Sequence, residues 1–120
     1  MHRQNIVRDL SYDFARHILQ LYKQRAADRE FRPLFTQLLR SGTSIASNIE
    51  EAIGSQSRAD FTHKISIAYK EARETQYWLR LLTDEQVIAV PTGNALQGEV
   101  EAVVKLLYRI QATTRKNNEQ

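Results

Sequence analysis

The chain contains no cysteine in its 120 residues, which excludes disulfides and thiolate metal sites. That suits a reducing cytoplasm, the expected location. Glycine occurs four times and proline twice, and no low-complexity segment or internal repeat stands out. No apolar run approaches the ~20 residues needed to span a bilayer, so no membrane association is expected. The opening Met-His-Arg-Gln-Asn leads into no apolar stretch of the signal-peptide kind. Catalytic signatures are also missing. There is no Glu-x-x-His, no Gly-x-Ser-x-Gly elbow and no glycine-rich phosphate loop after a strand.

What is present is helical periodicity. One all-α domain over residues 1–120 is expected, with helices at about 11–27, 33–53, 58–83 and 95–114. Ser11 reads as the first N-cap, and Leu10, Phe14, Ile18, Leu21 and Tyr22 as that helix's apolar stripe. Pro33 suits the first position of the second helix, whose core face is Leu34, Leu38, Ile45, Ile49 and Ala52. Phe35, Leu39, Ala46 and Ile53 lie about 80–100° away and widen the apolar surface. Gly42 inside this helix costs ~1 kcal/mol relative to Ala, and close approach of a neighbouring helix would explain it. Gly54 reads as a C′ residue. Ser57 with Asp60 resembles a capping box for the third helix, and Asn94 with Gln97 suits the fourth. The run Val87-Ile-Ala-Val90 is expected to tuck under the bundle. Short connections make the expected fold an antiparallel up-down-up-down four-helix bundle.

The third helix carries more than a core stripe. Phe61, Ile65, Ala68, Ala72, Leu79 and Leu82 face the core, while Ile67, Glu71, Glu74, Trp78 and Leu81 form a second stripe about a right angle away. A helix that meets only its bundle neighbours needs one apolar stripe. Trp78 in a second one points to contact with another chain, since aromatics concentrate at interfaces; the plainer reading is that it closes a broad core. On the second helix Arg40, Ser44, Ser47, Asn48 and Glu51 gather on the polar side, either as a solvated face or as a network fixing a subunit contact.

The net charge is only +3. Residues 1–32 hold seven Lys or Arg against four Asp or Glu, an excess equal to the whole net charge. Lys70, Arg73, Tyr77 and Arg80 form a third stripe, nearly opposite the core, that mixes cations with an aromatic. Cations suit phosphates and an aromatic can stack on a base. With Arg16, Lys23 and Arg25 of the first helix they are the candidate nucleic-acid contacts, against the plainer reading of a solvated amphipathic face. The rival of another class is a metal-dependent carboxylate and histidine bundle enzyme. It would use Asp60 and His63, Asp13 and His17, with Glu51, Glu71 or Glu74 adding carboxylates; Asp60 and Glu74 stand about four turns apart, which fits it poorly. No cofactor is expected.

Ser44-Ile45, Asn48-Ile49, Glu51, Gly54, Arg58, Phe61, Ile67-Ala68, Glu74 and Leu79 together resemble a bacterial four-helix bundle family. It includes proteins encoded in intervening sequences of 23S ribosomal RNA genes and the accessory variability determinants of diversity-generating retroelements. The run Lys70 to Leu82 and the opening Asp9 to Ala15 are similar to the same family. Glu50, Ala52, Tyr69 and Lys70 depart from its usual pattern. The resemblance implies a non-enzymatic bundle that assembles into a homopentameric ring, with RNA or DNA and a reverse transcriptase as partners in the retroelement branch. The residues expected at the subunit contact are Arg40, Asn48, Glu51, Ile67, Glu74, Trp78 and Leu81. Those expected at nucleic acid are Arg16, Lys23, Lys70, Arg73 and Arg80. A purely structural protein is the remaining alternative.

Overall fold

Four helices span most of residues 2–119, the part of the chain that the computed structural model describes. They are α1 (His2–Gln24), α2 (Arg32–Ile53), α3 (Arg58–Asp84) and α4 (Val90–Glu119). Each packs on two neighbours, in the ring α1–α2–α3–α4–α1, and among the described residues no diagonal pair touches. Connections at 25–31, 54–57 and 85–89 are too short for anything but antiparallel neighbours. The result is an up-down-up-down four-helix bundle of 50 × 21 × 19 Å.

The core follows the apolar stripes, with Phe14, Ile18, Leu38, Ile45, Ile49, Ile65, Leu79, Leu82 and Leu107 almost completely enclosed. One expected core position is corrected, and Tyr22, Leu34 and Phe61 are only partly buried against the core. Leu10 is 39% exposed, and the stripe of α1 runs instead through the enclosed Val7. Leu34 is only half-buried, while Phe35 beside it is enclosed beneath the Arg25 guanidinium, 4.8 Å from its ring centre.

Two helix starts also move. Ser11 is no N-cap; it lies inside α1, fully buried, with its hydroxyl donating to the Arg8 carbonyl at 3.0 Å. A small side chain that satisfies its own hydroxyl on the preceding turn interrupts nothing. Pro91 falls in the first turn of α4, ahead of the expected start near 95, where a missing N–H is harmless. Asn94 is therefore inside the helix. Of the run before it, Ile88 is buried as expected, whereas Val90 is 47% exposed.

Helix ends explain the connections. Ser57 accepts from the Asp60 N–H at 3.0 Å, the expected cap of α3. Gly54 follows α2 with φ −83°, so the left-handed cap its glycine permits is not used. That conformation appears after α3 at Gln86, φ 58°. There Gln86 N–H donates to Thr83 O at 3.0 Å and Val87 N–H to Leu82 O at 2.9 Å, the paired bonds of a Schellman turn. The turn drops Ile88 under the bundle and starts α4 close to the end of α3. A Cβ on Gly93 would stand 2.1 Å from Thr83 Oγ1. Gly42 has the expected reason too: a Cβ there would meet two Ile18 carbons at 3.2 Å, across the α1–α2 contact.

Candidate interaction surfaces

The side of the bundle where α2 meets α3 carries one clamp. Heptad-like spacing puts Glu71, Glu74 and Trp78 on the flank of α3 that faces Arg40 of α2. The Arg40 guanidinium donates to Glu71 at 3.2 Å and to Glu74, and its Nε donates to Gln37 at 3.2 Å. Glu74 also accepts from the Trp78 indole N–H at 2.9 Å. That indole bond, then the guanidinium, holds the Glu74 carboxyl below its usual range, and Glu74 in turn raises Arg40. Trp78 is thereby fixed in one orientation with part of its ring outside the core, and the Tyr77 ring meets it edge-on at 4.9 Å. Ile67 and Leu81, half-buried, lie on the same stripe, Leu81 one turn beyond Trp78 and Ile67 three turns before it.

The other expected members of this face do not join the clamp. Ser44 and Asn48 donate to carbonyls one turn back on their own helix, at 2.7 and 2.8 Å. Glu51 pairs with Lys64 of α3 at 2.9 Å, which raises the lysine pKa. The proposed Arg40–Asn48–Glu51 network is therefore two separate α2–α3 staples with local bonds between them. The physical reason is reach: intrahelical carbonyls are closer to these short side chains than they are to one another. Beneath this face, the fully buried hydroxyls of Thr75 and Ser41 share a cross-helix hydrogen bond at 2.9 Å, and Thr75 donates to the Glu71 carbonyl at 2.8 Å.

The five expected nucleic-acid residues are not brought together. Arg16 and Lys23 point outward from α1, and Lys70, Arg73 and Arg80 outward from α3, which is diagonal to α1 in the ring. A projection of one helix cannot show which helix lies across the diagonal. Arg25 is withdrawn from any ligand role. Its guanidinium donates to Val87 O at 2.6 Å and Asp28 at 2.7 Å, and it holds the Asp28 carboxyl below its usual range. On the α4 side of α3, Arg73, Gln76, Tyr77 and Arg80 share a groove of about 380 Å³ with Gln97. Gln76 escapes the sequence reading and Gln97 reads there only as part of a helix cap, because their meeting depends on how α3 and α4 pair.

The metal-enzyme alternative finds no donor set. Among the described residues no three His, Asp or Glu side chains stand close enough to hold an ion. Asp60 and His63 are exposed, while His17 Nδ1 donates to Glu99 of α4 at 2.7 Å. No described helix is long and apolar enough to cross a membrane.

The family model for 23S rRNA-intervening sequence proteins matches residues 3–109. The chain belongs to that family. It is also similar to a solved structure from Bacteroides thetaiotaomicron VPI-5482, described as a protein of unknown function from the S23 ribosomal protein family. The two share 42% identity over 92% of this chain and 98% of that one, with a TM-score of 0.87. No curated protein matches. Membership of the 23S rRNA-intervening sequence protein family agrees with the bundle fold, and the solved neighbour is described as of unknown function.

Proposed function

We propose that the chain is a non-catalytic, cytoplasmic scaffold that assembles with copies of itself, as a pentamer, and binds nucleic acid or a nucleic-acid enzyme on its outward basic helices. One observation carries the assembly: Trp78 is half-buried and locked by Glu74 and Arg40 on the stripe that also carries half-buried Leu81 one turn on and Ile67 three turns back. A preorganised aromatic amid aliphatic neighbours is the usual anchor of a protein interface, because little side-chain entropy remains to be lost on binding. The polar staples Arg40–Glu71 and Glu51–Lys64 lie further along the same α2–α3 side, towards the start of α3.

The test is multi-angle light scattering of the purified chain. Five copies of 13.9 kDa give about 70 kDa. Leu81→Glu, at a half-buried position, is expected to reduce that mass to one protomer with helical content kept. A wild-type chain that runs as a monomer at moderate concentration refutes the assembly. The ligand half predicts binding to nucleic acid that weakens steeply with added salt, since phosphate contacts release counterions. Binding that is absent, or insensitive to salt, refutes it.

A further inference from the structure

Some arginines of this chain are tied into the bundle, and others, Arg73 among them, are not. Arg8, Arg25 and Arg40 are held in ion pairs within the bundle, each with a nitrogen 3.2 Å or less from a carboxylate. Arg73 has no ionic partner among the described residues, and Arg80 approaches only Asp84, at 3.8 Å with both side chains largely exposed. The fold therefore leaves these two guanidinium groups open to a ligand. They sit two turns apart on α3, about 10.5 Å along the axis, at the edge of the α3–α4 groove.

Tyr77 lies between them in sequence and lines the same groove. Its ring is 57% exposed, yet steadied from behind by Trp78 at 4.9 Å. Across the groove, the Gln97 side-chain amide donates to the Gln76 carbonyl at 3.1 Å, which ties the α4 wall to α3. Two open cations spaced along a helix with an exposed, oriented aromatic between them make the pattern that binds unpaired nucleotides. The cations take phosphates and the ring takes a base face. A duplex hides its base faces in the stack and would forgo the aromatic.

We propose that the α3–α4 groove holds a single strand of nucleic acid, with phosphates on Arg73 and Arg80 and a base stacked on Tyr77. The proposal rests on the nucleic-acid reading above and narrows it to one site and one strand state. Arg16 and Lys23, on the diagonal helix, take no part in it.

The experiment is fluorescence anisotropy with the full chain and a labelled single-stranded oligonucleotide of roughly 12 nucleotides, within the site sizes usual for such grooves. RNA and DNA versions and the matching duplexes are each followed across a salt series. Removing two phosphate contacts with the double variant Arg73→Gln/Arg80→Gln is expected to reduce the salt slope by about 1.4. Tyr77→Leu is expected to weaken single-strand binding about 5- to 150-fold with the slope unchanged. Tyr77→Phe should bind as wild type, and duplex binding should be weaker and indifferent to Tyr77→Leu. All three side chains are exposed, and circular dichroism verifies that the variants fold. Variants that bind like wild type overturn the groove while leaving nucleic-acid binding in place. Duplex held as tightly as single strand overturns the strand preference. A wild-type chain that binds no oligonucleotide overturns both this site and the broader reading.

Discussion

Replacing Glu74 by Gln isolates the charge in the α2–α3 clamp. Gln keeps the volume and an oxygen able to accept from the Trp78 indole, so what disappears is the carboxylate facing Arg40. A hydrogen bond between charged groups contributes ~1.5–3 kcal/mol when well shielded. Here the Arg40 side chain is 46% exposed and that of Glu74 36%, so screening brings the contribution towards ~1 kcal/mol. Arg40 also keeps Glu71 as a partner. The expected loss at pH 7 is therefore about 1 kcal/mol, or about 4 °C in Tm for a chain of this size. The pH dependence identifies the cause. The indole N–H and the guanidinium lower the Glu74 pKa in the folded state. The stabilisation is thus fully present above the ordinary glutamate value of about 4.3 and is lost as pH falls through the lower folded value. Glu74→Gln should be less stable than wild type at neutral pH and should converge with it in acid. Urea denaturation followed by circular dichroism, at one protein concentration throughout, measures both. Equal stabilities at pH 7, or a gap that persists unchanged into acid, would show that the carboxylate charge does not hold the clamp.

Two further substitutions test the packing that sets the helix pairs. Gly93→Ala places a Cβ 2.1 Å from Thr83 Oγ1 and 2.7 Å from its Cγ2, and should destabilise by about 1–3 kcal/mol. Thr83→Ala removes both atoms and should recover much of the loss; it should be nearly neutral alone, because that hydroxyl is buried without a partner. Identical urea midpoints for Gly93→Ala with and without Thr83→Ala would contradict the contact. Thr75→Val removes the hydrogen-bond partner of Ser41 in the core and should cost about 1 kcal/mol, with Ser41→Ala restoring most of it. A thermal melt in which the double variant is less stable than Thr75→Val argues against the pair.

Much of this protein is legible in one dimension. A helix repeats every 3.6 residues whatever it packs against, so four helices and most of their inward stripes, from Phe14 to Leu82, follow from spacing alone. The Ser57 cap and the cost of Gly42 are local too, since each depends on a few neighbouring residues. So is the second stripe of α3 that carries Trp78. Helix starts are less legible: a serine inside α1 and a proline opening α4 fit more than one local reading, and burial of Val7 and Ile88 decides between them.

Pairing across the bundle is a different kind of information. The order of helices around the ring sets which side chains meet, and no single helix's period contains it. Arg40 reaches Glu71 and Glu74 rather than Asn48 and Glu51 because α3, not its own next turn, lies against its flank. Arg25 was one basic residue among many until folding placed it on Phe35, Asp28 and the Val87 carbonyl. Arg16 and Lys23 are parted from Arg73 and Arg80 by the diagonal. The sequence by itself determined that cations and aromatics lie outside the core. Only the tertiary structure decided which cations are tied into the bundle and which stay open beside Tyr77, because ion pairing depends on distances of a few ångströms between helices far apart in the chain.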